Sequence, residues 1–316
     1  MATTAPYSLP AAQRLAAELA GLDPAAPPAA RLLRPPRAGL GQAVGVFPGS
    51  FDPFTAAHAA LARAALRHGG LDSLLFLLSV HVVDKEDAAQ AALADRALVL
   101  ARYSARRPRC GVAVCNRGLY VEEAEALAPL LPAGAALWFV IGFDKIVQVF
   151  DPRYYADRAA ALDRLFALAG FLVAPRAGAG RRDLAALLAR PENAPYRARV
   201  RPLPLAAAYR DQSATAVRAA LAAGQNVDSL LAPPAAAFIA ATGCYTPAAE
   251  AYAARRSALR DLLPRPPSRC EKGEHPPSLH RPPLPYPGKV DEEQGADRHQ
   301  RGRLPPSFAG KGGRGG

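Results

Sequence analysis

The sequence predicts an α/β protein whose parallel sheet is covered by helices on both faces. Short apolar runs alternate with helix-length segments between residues 40 and 263, each run bounded by Gly, Pro or a polar turn. Of the 316 residues, 50% are apolar and 21% charged, a balance that supports a sizeable core and excludes wholesale disorder.

Taken in order, residues 44–47, 74–80, 112–115, 137–141 and 171–174 read as buried strands, because their apolar runs are nearly continuous. Residues 56–68, 87–104, 121–131 and 158–168 between them have helix-compatible length and composition. A βαβαβ order implies right-handed crossovers and ligands at the carboxyl ends of the strands. Before this body, residues 9–22 place Leu15, Leu19 and Leu22 on one helical side and lead into a Pro-rich connector. Residues 1–39 are therefore expected to be an appended helix and linker, and 40–263 the folded domain. Residues 264–316 are rich in Pro and Gly, lack apolar runs, and are expected to form a disordered basic tail.

The 39 Lys and Arg against 27 Asp and Glu give a formal charge of +12. A basic protein invites an RNA reading, but no RNP or KH signature accompanies the charge, so nucleic acid is not the expected partner. Every apolar window is broken by Arg, Asp or Pro well before membrane-span length, so no membrane association is expected. The cysteines Cys110, Cys115, Cys244 and Cys270 form no CxxC pair, which argues against a zinc site and for a reducing compartment. The Ala, Arg and Pro content of the N-terminus is compatible with an organellar transit peptide, whereas Glu18 and Asp23 count against one. Cytoplasm or nucleus is expected.

The chemistry concentrates where the first strand of the body meets its helix, at Gly49-Ser50-Phe51-Asp52-Pro53-Phe54-Thr55-Ala56-Ala57-His58. Two prolines and a glycine shape a loop at the ligand end of the sheet, and the following helix N-terminus offers N–H groups to a polyphosphate. His58 and Thr55 lie in its first turn as donors. No GxxxxGK[ST] is present and no GxGxxG follows the first strand, which disfavours the common P-loop and dinucleotide routes.

This segment resembles the first signature of the HxGH-type nucleotidyltransferases, G-x-F-D-P-x-(H or T)-x-G-H, with Ala57 in place of the family glycine. Residues 211–218 are similar to the family's S-S-T-x-(I or V)-R motif, with Ala214 replacing one hydroxyl. Ser213 reads as a helix N-cap, and Thr215 and Arg218 share a helical face. The strand ending Ile141-Gly142-Phe143-Asp144 looks like the I-G-x-D of adenylyltransferases for nicotinamide and nicotinate mononucleotide. The spacing of Lys85 and Arg96 is similar to a K…R pair of the same branch, although Asp84, Glu86 and Asp95 stand nearby as ion-pair partners. Details after residue 142 look closest to eukaryotic nicotinamide-nucleotide adenylyltransferase-like proteins.

The resemblance implies a Rossmann-like nucleotidyltransferase fold and an ATP-dependent adenylyl transfer to a nicotinamide or nicotinate mononucleotide, forming a dinucleotide and releasing pyrophosphate. It implies a nucleotide site of Gly49, Ser50, Phe51, Thr55, His58, Ser213, Thr215 and Arg218, with His58 and Arg218 catalytic. Lys85, Arg96 and Asp144 would contact the acceptor. Mg²⁺ would come with ATP, since the loop has too few acidic residues for a metal cage of its own. The T-x-x-H form of the first motif also occurs in relatives that adenylylate phosphopantetheine, so that acceptor remains open, as does a nucleotide-binding or weak ATPase protein without transfer activity. A homo-oligomer is compatible with the sequence.

Overall fold

The computed structural model describes residues 7–80 and 91–262. The chain divides into two units, Met1–Lys272 and Gly273–Gly316, and the expected tail at 264–316 lies outside the described residues. The first unit carries a seven-stranded sheet in the order β1-β4-β3-β2-β5-β6-β7. Its strands are β1 (Ala30–Arg34), β2 (Ala43–Pro48), β3 (Ser73–Ser79), β4 (Cys110–Cys115), β5 (Ala136–Gly142), β6 (Ala169–Ala174) and β7 (Val200–Pro202). All neighbours pair in parallel except β1, which runs antiparallel to β4.

Along β3, Leu74, Phe76 and Leu78 face one apolar layer while Leu75 and Leu77 face the other. Burial on both faces is why this strand reads as an uninterrupted apolar run. Helices α2 (Ala56–His68) and α3 (Leu93–Ala105) cover the first layer, and α4 (Tyr120–Leu127), α5 (Phe143–Phe150), α6 (Arg158–Leu168) and α7 (Arg181–Ala189) the second. Three further helices, α8 (Ala214–Ala222), α9 (Pro233–Thr242) and α10 (Glu250–Arg260), return to the first layer. No helix among the described residues is long and apolar enough to cross a membrane.

The chain builds outward through β2, β3 and β4, then returns to lay β5 against the free side of β2. The carboxyl ends of β2 and β5 therefore flank the switch point, where connections diverge to opposite faces and leave a crevice.

The N-terminal region departs from the expected tether. Helix α1 (Leu9–Ala20) is present, but the supposed linker contains β1. The cause is tertiary. Buried Asn116 accepts from the Ala29 N–H at 2.8 Å and donates to the carbonyls of Asp23 and Pro27 at 2.8 and 2.9 Å, so one side chain organises the Pro-rich stretch. Gly111 on β4 admits the adjoining chain, since a Cβ there would lie 2.7 Å from the Arg34 carbonyl oxygen.

Two helix boundaries also differ. Helix α3 begins at Leu93 rather than 87, after the Ala92 N–H donates to the Tyr252 hydroxyl at 2.8 Å, and residues 81–90 lie outside the described region. Helix α4 stops at Leu127 and gives way to a 3₁₀ turn holding Pro129. Helices α5 and α7 and the three-residue β7 are absent from the pattern that the sequence predicts.

Candidate active site

The loop between β2 and α2 is anchored by aromatic rings. Phe51 and Phe54 are almost fully buried and pack edge-on against Phe76, with ring centroids 5.5 and 5.4 Å away. Phe51 holds a left-handed backbone at φ 49°, a conformation sterically costly for a bulky side chain and here sustained by that packing.

Thr55 caps α2, its hydroxyl accepting from the His58 N–H at 3.3 Å, and the His58 ring closes the box by accepting from the Thr55 N–H at Nδ1, 3.0 Å away. Histidine thus does what Glu or Gln does in the usual capping box. With Nδ1 an acceptor, the neutral ring carries its proton on Nε2. Phe54 stacks parallel to the imidazole at 5.9 Å, and Phe51 meets it edge-on at 5.3 Å. Burial, and secondarily the Arg176 guanidinium, push the His58 pKa down to about 4. At neutral pH this group is an oriented neutral donor rather than a cation.

A depressed histidine pKa couples folding to pH. The folded-state value lies below the ordinary 6.5, so the unfolded chain takes up a proton first on acidification. His58 contributes its full share of stability above pH 6.5 and loses it as pH falls through about 4, a span of about 3 kcal/mol at most. His58→Gln keeps a capping-box residue but removes the titration. Denaturation midpoints followed from pH 7 to pH 4.5 are expected to fall less steeply in this variant than in the wild type, and parallel curves would refute the assignment.

Asp52 joins the two motifs. Its carboxylate, 1% exposed, accepts from the Ala91 N–H at 3.0 Å and from the Tyr245 hydroxyl, and lies 3.4 Å from Arg218 Nη1. The same Nη1 donates to the Asp52 carbonyl, and Arg218 Nη2 reaches Thr215 Oγ1 at 3.5 Å. A second bridge runs from the Ala57 N–H to Gln212 Oε1 at 3.0 Å. The N-termini of α2 and α8 are thus tied together, although the bonded residues are 155 and 166 positions apart in the chain. Ser213 occupies the N-cap position of α8 as expected, but its hydroxyl makes no capping hydrogen bond.

The remaining candidates fall into three situations. Arg96, 3% exposed, donates to the Ser50 carbonyl at 3.0 Å from beneath the loop, so it braces Ser50 and its neighbour Gly49. Its expected partner Asp95 instead pairs with Arg255 at 2.5 Å. Asp144 stands in the first turn of α5 at the switch point, 3.5 Å from Arg176 Nε. Lys85 lies outside the described residues. Among the described residues, no three His, Cys, Asp or Glu side chains are grouped to hold a metal ion.

Arg176, Gln212 and the central position of Asp52 do not stand out in the sequence. The signal available for Arg176 was its place two residues past the end of β6, at the ligand edge of the sheet. Gln212 sits inside the second motif but carries no chemistry that singles it out before folding.

A cavity of about 720 Å³ opens between α2 and the ends of β6 and β7; Phe143, Pro175, Leu203 and Leu205 line it together with the basic side chains of Arg63, Arg67, His68, Arg181 and Arg210, and neither His58 nor Arg218 is among its lining. The apolar floor and its size suit a nucleoside.

A family model described as cytidylyltransferase-like matches residues 46–220. A probable nicotinate-nucleotide adenylyltransferase of Bordetella pertussis is 30% identical over 205 residues, covering 64% of this chain and 97% of the relative. Its counterpart in Solibacter usitatus is 31% identical over 140 residues, covering 42% and 69%. Among solved structures, Plasmodium falciparum nicotinic acid mononucleotide adenylyltransferase complexed with NaAD aligns at 13% identity and a TM-score of 0.48, covering 65% of this chain and 97% of that one.

Proposed function

The chain belongs to the cytidylyltransferase-like family, and from that premise we propose that it transfers the adenylyl group of ATP to nicotinate or nicotinamide mononucleotide. The observation that carries the proposal is the pairing, through Asp52 and Gln212, of a helix end bearing a neutral histidine donor with a second helix end bearing an arginine. The names of the relatives support the acceptor class.

In this reaction the acceptor phosphate oxygen attacks the α-phosphorus of ATP. A new P–O–P link forms, the bond to the β-phosphate bridging oxygen breaks, and pyrophosphate leaves with that electron pair. No protein nucleophile is needed, so the protein contributes placement and charge stabilisation. His58 Nε2–H donates to a nonbridging phosphate oxygen at the end of α2. Arg218, whose five-donor fork exceeds its contacts to Asp52 and Thr215, offsets charge on the departing phosphates. Thr215 and Ser213 add hydroxyls from the end of α8, and the Gly49, Ser50 and Phe51 backbone forms the near wall. Asp144, with Lys85, serves the acceptor side, whereas Arg96, expected from the sequence to meet the acceptor, is buried beneath the loop and holds the Ser50 carbonyl instead. Mg²⁺ would enter as part of the MgATP substrate.

Incubation with MgATP and, separately, nicotinate mononucleotide, nicotinamide mononucleotide and phosphopantetheine tests the assignment by chromatography of the products. A dinucleotide is expected with one or both pyridine mononucleotides, and its absence with both refutes the proposal. Nucleotide binding without turnover would favour the non-transferring alternative, for which Ala57 is the specific motive: its methyl stands where the family motif has glycine, and its N–H is taken by Gln212.

A further inference from the structure

The start of α3 is bonded in two directions. Toward the loop between β2 and α2, the Ala91 N–H donates to the Asp52 carboxylate and Arg96 donates to the Ser50 carbonyl, both at 3.0 Å. Toward α10, the Ala92 N–H donates to the Tyr252 hydroxyl at 2.8 Å, and that hydroxyl donates to Asp95 at 2.7 Å. Arg255 grips the same carboxylate with its fork, Nε at 3.0 Å from Oδ2 and Nη2 at 2.5 Å from Oδ1, and its Nη1 donates to the Tyr7 carbonyl at 2.8 Å.

Asp95 is completely buried and Tyr252 nearly so. Burial and the Asp95 carboxylate hold the Tyr252 phenol far above its ordinary pKa, so the hydroxyl keeps its proton for Asp95 and accepts from Ala92 with a lone pair. Ala92 occupies the N-cap position of α3 and supplies no side-chain cap, which leaves the placement of this helix end to groups from elsewhere in the chain. Those groups come from α10, which lies beyond residue 220, where the family match ends. Asp52 in turn holds Arg218, so one set of bonds runs from α10 through the first turn of α3 to the ends of both motifs. Tyr252 and Arg255 bond to the turn and not to the loop, and their influence on the reacting groups passes through it.

We infer that Tyr252 and Arg255 are positioning residues for the proposed transfer: they fix the start of α3, which fixes Ser50 and Asp52, and through Asp52 the Arg218 guanidinium. The reaction they serve rests on the adenylyl-transfer reading, while the relay rests on these bonds alone. Tyr252→Phe keeps the ring edge-on to Phe238, 6.0 Å away, and removes only the hydroxyl. In the full chain it is expected to lower kcat by about tenfold while KM for MgATP changes by less than about threefold. Hydrogen exchange of the peptide spanning residues 49–58, read by mass spectrometry, is expected to quicken by about tenfold. Tyr7→Phe is the structural control: it deletes a 2.7 Å hydroxyl bond to the Pro234 carbonyl in the same apolar layer and leaves the α3 turn intact. Its kcat and its exchange over 49–58 are expected to stay within about twofold of wild type, whatever its unfolding midpoint. Arg255→Lys keeps the charge opposite Asp95, loses the fork and is expected to fall between these two, and it carries the test should Tyr252→Phe not fold. Combined with Asp52→Asn, Tyr252→Phe is expected to lower kcat by less than the product of the two single effects, because both act through the same guanidinium. Tyr252→Phe and Arg255→Lys variants whose kcat and loop exchange match wild type, or are matched by Tyr7→Phe, overturn the relay. If wild type adenylylates no acceptor yet loop exchange responds to Tyr252→Phe and not to Tyr7→Phe, the relay stands and the reaction assignment falls. If transfer proceeds while rate and exchange are indifferent to Tyr252 and Arg255, the reaction assignment stands and the relay falls.

Discussion

His58→Ala is expected to lower kcat for adenylyl transfer by about 10²- to 10³-fold, the usual cost of one preorganised donor to developing oxyanion charge. The ring is held by the Thr55 N–H at Nδ1 and by the faces and edges of Phe54 and Phe51, so its Nε2 proton needs no reorganisation when charge builds on the phosphate. The same substitution opens the capping box at the start of α2, for which about 1 kcal/mol of stability is expected to be lost. These effects separate experimentally. Steady-state rates with MgATP should show the loss mainly in kcat, while denaturant midpoints shift only slightly. A variant with kcat within about threefold of wild type would remove His58 from the chemistry.

Asp52→Ala is expected to cost about 3–5 kcal/mol of folding stability. The carboxylate is enclosed and serves three partners from distant parts of the chain: the Ala91 N–H, the Tyr245 hydroxyl and the Arg218 guanidinium. Removing it leaves a buried N–H and a buried hydroxyl unpaired and deprives Arg218 of its carboxylate. The carbonyl contact to Arg218 survives, so the guanidinium stays near but less firmly placed. Transfer should accordingly fall together with stability, by about tenfold in kcat/KM. Asp52→Asn retains an oxygen for the Ala91 and Tyr245 donors but turns an amide toward Arg218, so it should recover part of the stability and little of the activity. Urea unfolding of both variants beside wild type measures this, and a loss below about 1 kcal/mol for the alanine variant would show that Asp52 is not the tie between the motifs.

Local pattern made much of this architecture readable. The strands β2 to β6 were legible because both of their faces are buried, which turns each into a continuous apolar run, and α2 and α6 were legible to the residue because Thr55 and Asp157 cap them. The short β7 and the edge strand β1 were not, because neither presents such a run: β1 is only partly buried and bracketed by prolines. In the site, His58 and Arg218 announced themselves through residue type within a motif. Arg96 stood out by its spacing, but its partner, the Ser50 carbonyl, could not be read from any neighbour in the chain.

The amino-acid order alone determined the doubly covered parallel sheet, the loop at its ligand edge and the two segments that carry the side chains proposed to meet phosphate, because each depends on the periodicity and chemistry of a few consecutive residues. Tertiary structure decided which groups those segments present to one another: that Asp52 is engaged in holding Arg218, that His58 is neutral with its proton on Nε2, that Asn116 turns a Pro-rich connector into a strand of the sheet, and that α10 takes hold of the start of α3. Such outcomes depend on contacts between residues far apart in the chain and on the exclusion of water around them, and neither exists until the core has closed.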